Sequence, residues 1–178
     1  STDVLLQPLA FGKAQARNRL AMAPMTRKRA PGGIPTEAVA AYYRRRADGG
    51  IGLIFSEGSF IDHPSAQAHS GRSYTDIPRF FGREALLGWE RVLGGVHQAG
   101  TLFVPQLWHV GEVRRLGMPE EQTVPGYGPH EIIEDGKVVV KAMDPRDCET
   151  IAESYARCAI SAQEMGCDGI ALHGAHGY

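Results

Sequence analysis

Short apolar segments that predict β-strands alternate with amphipathic segments that predict α-helices along this chain of 178 residues. The predicted strands are residues 19–23, 51–55, 102–104 with a continuation to 109, and 168–173. The predicted helices span roughly residues 36–47, 82–99 and 147–165. Because strands separated by helices pair in parallel, this alternation predicts an α/β fold in which helices cover the sheet.

Polar residues gather where the chain leaves each predicted strand. They are Thr26, Ser56–Gly58, Gln106 with Trp108, and His173 with His176. The carboxyl ends of the strands form the active-site face of a (β/α)8 TIM barrel, so these four groups favour a barrel. The alternative, a doubly wound sheet, requires a glycine fingerprint after its first strand, and Met22–Thr26 contains no glycine.

The predicted barrel is larger than the chain, because a (β/α)8 domain takes about 250 residues. Residues 1–178 are therefore expected to form the N-terminal half of a single barrel domain, with the other half on an omitted segment, another chain or a second copy. Two long excursions, at about 59–81 and 110–146, follow strand ends, where long loops build functional sites. The second contains a predicted β-hairpin around Asp135-Gly136, which we expect to cap the barrel mouth.

Composition and charge exclude several classes of function. Hydrophobic residues make up 43% of the chain and charged residues 22%, as in globular proteins. A net charge of −1 gives no field to attract nucleic acid or anionic lipid, and no apolar run approaches the ~20 residues that span a bilayer. Three cysteines without CxxC spacing argue against a disulfide framework. We expect a cytoplasmic protein, with no nucleic-acid or membrane partner, that acts on a small molecule.

Two imidazoles and a phenol crowd the end of the chain at His173, His176 and Tyr178. Such groups donate hydrogen bonds or protons to a substrate oxygen near neutral pH, which predicts an active site after the fourth strand. His173 and His176, with His109 from the neighbouring strand, also allow a zinc site. That alternative lacks a well-placed carboxylate and explains neither Gln106 nor Thr26, so no metal is predicted.

Four segments carry a resemblance to a known family. They are Asn18–Arg27, Ser56-Glu57-Gly58, Pro105–Gly111 and Asp168–Tyr178. In this order and spacing they resemble the Old Yellow Enzyme family of flavin-dependent ene-reductases. The resemblance covers the N-terminal half of such enzymes and implies a (β/α)8 barrel that binds FMN non-covalently and takes electrons from NADH or NADPH.

The resemblance also implies which residues border the flavin. Pro24, Met25 and Thr26 would lie along the ring, with the Thr26 hydroxyl bonded to a ring carbonyl, a contact that tunes a flavin's redox potential. Gly58 would let the backbone approach the ring edge, since it has no Cβ. Gln106 would pair with the pyrimidine edge through its amide. His173 would contact both flavin and substrate.

The remaining implied residues act on the substrate, an enone or a nitro compound. His173 and His176 would hold its oxygen and stabilise the negative charge that develops there. Tyr178 would protonate the α-carbon, and Trp108 would line the cavity. His69 would occupy space that many members fill with a tyrosine. NAD(P)H and the alkene would use one pocket in turn, which implies ping-pong kinetics.

A non-enzymatic alternative is an inactive half barrel or assembly module. The phosphate-binding loops of barrels follow the later strands, which this segment lacks. We therefore expect residues 1–178 alone to bind FMN poorly.

Overall fold

The computed structural model describes residues 2–67, 76–118 and 122–178. The strands are β1 (Leu9–Phe11), β2 (Ala14–Ala16), β3 (Ala21–Met22), β4 (Leu53–Phe60), β5 (Leu102–Trp108), β6 (Gly126–Gly128), β7 (Ile132–Glu134), β8 (Lys137–Ala142) and β9 (Ala171–His173). The α-helices are α1 (Glu37–Asp48), α2 (Arg83–Gln98) and α3 (Pro145–Met165).

The main sheet is parallel and follows the order β3-β4-β5-β9. Each neighbouring pair of strands is separated in sequence by one helix: α1, then α2, then α3. A doubly wound sheet reverses its strand order at a switch point, whereas a barrel keeps it sequential. The order therefore agrees with the predicted barrel.

Local sequence signals set where the helices begin and end. The Thr36 side chain accepts a hydrogen bond from the backbone N–H of Val39 and caps α1. At α3, Asp144 and Asp147 each accept from the other's backbone N–H at 2.9 Å, a reciprocal capping box. Gly166 ends α3 in the left-handed conformation at φ 87°. Within the described ranges, no helix is long and apolar enough to cross a membrane.

The main core lies between the sheet and its helices. Tyr43 of α1, Trp89 of α2 and Phe103 of β5 are fully buried, with ring centroids 5.9–6.3 Å apart. Since Phe103 and Leu107 of β5 face this core, Gln106 and Trp108 point to the opposite face of the sheet.

Strand β4 is longer than the predicted 51–55, because its second half carries polar residues that are buried and bonded rather than exposed. The register between β4 and β5 shifts between Phe55 and Gly58. There the Ser56 hydroxyl accepts a hydrogen bond from the N–H of Gln106 at 2.9 Å. Pro105 lies opposite this irregularity, where a missing N–H is tolerated.

The two edge strands are shorter than predicted, and three small strands were not predicted. β3 covers only Ala21–Met22 and β9 only Ala171–His173, since each pairs along one side. The unpredicted strands are β1 and β2, which form an antiparallel hairpin, and β6. β6, β8 and β7 form a separate sheet, in which β7 and β8 turn at Asp135-Gly136; it is called the cap sheet after its predicted position.

Candidate functional site

An aromatic cluster forms at the carboxyl ends of β5 and β9. The register pairs Trp108 with His173, and their rings stack at 5.5 Å and 27°. Tyr178 packs edge-on against both rings, 4.9 Å from each centroid. His176 lies edge-on to His173 at 5.6 Å. The two imidazoles and the phenol singled out in the sequence therefore share one small site with Trp108.

The shape of the chain end follows from backbone turns after β9. His176 adopts φ 60° and Gly177 φ 82°, and the Tyr178 N–H donates to the carbonyl of Ala175 at 3.2 Å. This reversal carries the tyrosine back over the sheet. The turn at Gly111 lies beneath it, since a Cβ there would be 3.7 Å from the Tyr178 backbone.

Trp108 is held from below by a small apolar cluster. Phe60, Ile77 and Val110 are buried around it, and the exposed fraction of Trp108 is only 4%. The Phe60 ring lies 5.4 Å from the indole. Among the described residues, the buried Nε1 of Trp108 has no hydrogen-bond partner.

The protonation states of the site follow from burial. Burial, followed by the neighbouring His176, lowers the pKa of His173, so the ring is neutral at pH 7. Its Nδ1 accepts from the Ala175 N–H at 3.4 Å, which leaves the proton on Nε2. Burial also raises the pKa of Tyr178, so the phenol keeps its proton. Both residues can therefore donate to an oxygen or carbon placed above them.

Gly58 and Gln106 lie next to this cluster on the same face of the sheet. They are register partners in β4 and β5. A Cβ on Gly58 would sit 2.9 Å from the Trp108 ring and 3.5 Å from the Gln106 Oε1. Glycine is therefore required here by the indole itself, a reason that the sequence did not indicate.

The segment Pro24–Thr26 runs beyond the end of β3 and is tied to β4 by one ion pair. Met25 and Thr26 are exposed. The next residue, Arg27, bonds to the buried carboxylate of Glu57, with Nη2 to Oε1 at 2.6 Å. The sequence did not identify Arg27 as the partner of Glu57. A buried carboxylate beside an exposed turn is the signal that points to such a cation.

These features fit a flat aromatic cofactor with a polar edge. Gln106, which is partly exposed, presents an amide with donors and an acceptor, and the Gly58 backbone lies beside it without a side chain.

The third histidine of the zinc alternative lies elsewhere. The Nε2 of His109 is 2.8 Å from the Ser65 hydroxyl, which is itself 2.8 Å from the Nδ1 of His63. This buried chain was not predicted. Within the described part of the protein, no three His, Cys, Asp or Glu side chains are arranged to hold a metal. His69 lies outside the described residues.

Comparison with known proteins gives one family and a consistent set of relatives. Residues 4–178 match the model of the NADH:flavin oxidoreductase / NADH oxidase family. A putative 12-oxophytodienoate reductase 2 of Oryza sativa subsp. japonica is 34% identical over 98% of this chain and 46% of the relative. The 12-oxophytodienoate reductase 7 of the same plant is 33% identical over 98% of this chain and 45% of its own length.

Solved structures agree with the sequence relatives. Morphinone reductase in complex with tetrahydroNAD is 30% identical, with a TM-score of 0.83 over 97% of this chain and 50% of its own. Old Yellow Enzyme from Pichia sp. AKU4542 is 26% identical, with a TM-score of 0.86 over 98% of this chain and 47% of its own. The predicted fold, part of a (β/α)8 barrel, is confirmed. The chain spans about half the length of the curated relatives it matches.

Proposed function

The chain belongs to the NADH:flavin oxidoreductase / NADH oxidase family, that of Old Yellow Enzyme, and on this premise we propose that it carries the substrate-activating residues of an FMN-dependent ene-reductase. The family's cofactor is FMN, with NADH or NADPH as reductant. The proposed substrates are α,β-unsaturated carbonyl or nitro compounds.

One observation carries the proposal: the contact of His173, His176 and Tyr178 on the face that also bears Gly58 and Gln106. Two imidazoles suit an electron-rich oxygen, and a phenol suits a carbon that needs a proton. The partly exposed amide of Gln106, beside the Gly58 backbone, supports the cofactor side of the same site.

His173 and His176 would polarise the substrate. The Nε2–H of neutral His173 donates to the carbonyl or nitro oxygen, and His176 supplies a second donor from the adjoining turn. As negative charge develops on that oxygen, both bonds strengthen, which lowers the barrier. FMN, when bound, would supply the hydride that the β-carbon receives.

Tyr178 would complete the reduction at the α-carbon. Its phenol is protonated because burial raises its pKa, and packing against Trp108 and His173 fixes its orientation. Alternating use of one cavity by NAD(P)H and the alkene would give ping-pong kinetics.

Replacing Tyr178 tests the proposal. We expect Tyr178→Phe to slow alkene reduction by about 100-fold or more, the usual contribution of a general acid, and to leave reduction of bound FMN by NAD(P)H unchanged. Stopped-flow absorbance follows the two half-reactions separately. Tyr127→Phe, in the cap sheet, is the matched control. Equal loss in both half-reactions would contradict the proton-donor role.

A further inference from the structure

Glu57 is a buried carboxylate that the proposed chemistry does not use. Its side chain has an exposed fraction of 0%, and burying such a charge is costly unless it is paired and hydrogen-bonded. It is paired and bonded here. Oε1 accepts from Arg27 at 2.6 Å from Nη2 and 3.1 Å from Nε, while Oε2 accepts from the backbone N–H of Arg27 at 3.0 Å.

Two tyrosines enclose this ion pair. The Glu57 N–H donates to the Tyr43 hydroxyl at 2.8 Å, and that hydroxyl reaches Oε1 at 3.5 Å. The guanidinium carbon of Arg27 lies 3.7 Å from the Tyr42 ring centroid and 5.0 Å from that of Tyr43. Helix α1 therefore fixes both partners, so the pair has one geometry rather than many.

The pair joins the two backbone segments that the family resemblance places along the flavin. The bond from the Arg27 N–H fixes the peptide between Thr26 and Arg27, and Glu57 itself immediately precedes Gly58. Sheet pairing does not extend this far, because the β3–β4 register stops at Met22 and Ile54. Residues 23–30 belong to no strand or helix. The Glu57 side chain, rather than backbone hydrogen bonds of the sheet, therefore connects this segment to β4.

We propose that Glu57 and Arg27 are positioning residues that hold the Thr26 hydroxyl at a set distance from the Gly58 backbone, and so set the redox potential of bound FMN. This inference rests on the proposed function. A hydroxyl donating to the flavin stabilises the reduced ring, in which negative charge increases. Loosening the Thr26 segment should therefore lower the potential.

The test is a double-mutant cycle read by redox potential. Glu57→Gln keeps the shape and one acceptor but removes the charge, and Thr26→Ala removes the hydroxyl. We expect each to shift the equilibrium between oxidised and reduced FMN at least tenfold toward the oxidised form, about 30 mV for a two-electron couple. Combined, they should shift it no further than Thr26→Ala alone, because both act through one contact.

Controls separate positioning from general damage. Asp48→Asn breaks the exposed pair Arg44–Asp48 and should leave the potential unchanged. Should Glu57→Gln fail to fold, Arg27→Lys retains the charge but loses the planar fork, and we expect a shift in the same direction. Amide exchange at Arg27 should also accelerate in either variant, a readout independent of the flavin.

Non-additive shifts of the redox potential in the Glu57→Gln, Thr26→Ala double variant support the proposal. A folded Glu57→Gln or Arg27→Lys protein with the wild-type potential overturns it, and so do additive shifts in the double variant. All of these proteins have the length of the relatives. A wild-type protein of that length that binds no FMN overturns the proposed function and this inference with it, whereas normal FMN binding with an unchanged potential in the variants overturns the inference alone.

Discussion

A neutral His173 and a protonated Tyr178 are the states that the proposed reduction needs, and both follow from where the side chains lie. Burial lowers the pKa of the imidazole and raises that of the phenol. The bond from the Ala175 N–H to Nδ1 then selects the His173 tautomer that can donate from Nε2. The raised pKa also disfavours a phenolate at Tyr178, the form that a nucleophile or a metal ligand would need.

The raised pKa of Tyr178 predicts the alkaline limit of the reaction. A phenol donates its proton only below its pKa, and burial moves that value above the ordinary 10. We expect the rate of alkene reduction to stay constant up to pH 9 and to fall only above pH 10. A pH profile of the oxidative half-reaction checks this, and a fall centred below pH 9 would speak against Tyr178 as the donor.

His176 permits a graded test of the oxygen-binding pair. His176→Ala removes one donor and should lower kcat/KM for an enone by about 100-fold or more. His176→Asn retains an N–H donor and should keep most of the activity. Steady-state kinetics with both variants measure the difference. Equal losses of kcat/KM in the two variants would show that activity depends on the imidazole ring itself rather than on a hydrogen bond that it donates.

At the scale of elements, the contact of β4 with β5 builds the floor of the site. Gly58 lies where a Cβ would meet the Trp108 ring at 2.9 Å, and the register shift at Phe55–Gly58 is bridged by the Ser56 hydroxyl. The indole is fixed in turn by Phe60, Ile77 and Val110. Packing beneath the site therefore sets the position of the surface that we propose contacts the substrate.

Gly58→Ala tests this packing. The new methyl group must displace the indole, and such overpacking typically costs about 1–3 kcal/mol. We expect a lower unfolding free energy together with weaker FMN binding. Gly94→Ala in α2 is the control, since a Cβ there meets nothing within 4 Å and should stabilise the helix by about 0.5–1 kcal/mol. An unchanged stability for Gly58→Ala would refute the role assigned to its missing Cβ.

The chain of His109, Ser65 and His63 predicts sensitivity to acid. Burial, then His63 and Arg114, lowers the pKa of His109 to about 3, below its ordinary value of about 6.5. Between these values the unfolded chain binds a proton that the folded protein does not, so stability is present above pH 6.5 and is lost as the pH falls. Protonation of His109 alone lowers the free energy of unfolding by up to about 1.4 kcal/mol for each pH unit below 6.5.

Urea unfolding at pH 7 and pH 5 measures that contribution. His109→Gln keeps a donor toward Ser65 but does not titrate, so its unfolding free energy should fall less between the two pH values than that of the wild-type protein. His130→Gln, at an exposed position in the cap region, should behave as the wild type. Parallel losses in all three proteins would rule out His109 as the source.

Elements with local signals were predictable from the sequence, whereas long-range contacts were not. Thr36 marks the start of α1 by short-range capping. The third helix was predicted from residue 147, and α3 begins two residues earlier, where Asp144 caps it. The second half of β4 was not predicted, because a glutamate in this position is typical of a turn. Only the ion pair with Arg27, thirty positions away in the sequence, explains why Glu57 is buried. The positions of His173, His176 and Tyr178 came from recognisable motifs, but their ring contacts depend on pairing of β9 with β5.

At the scale of the whole molecule, the sheet is sequential and open at both ends. β3 and β9 each pair along one side. Leu172 aligns with the buried Leu107 yet has an exposed fraction of 61%, on the face that helices cover elsewhere. In a barrel a further β/α unit would bury such a residue. The relatives are about twice as long as this chain, which agrees with an account in which the phosphate of FMN is held by later strands.

The absorbance spectrum of the purified protein, recorded with its intact mass, shows directly whether the site is that of an FMN-dependent ene-reductase. We expect the yellow bands of FMN, bleached by NADH or NADPH without oxygen and restored by cyclohexenone, in protein as long as its relatives. Residues 1–178 alone should retain FMN weakly. Protein of the relatives' length that carries no flavin, and takes up none from added FMN, would contradict the account.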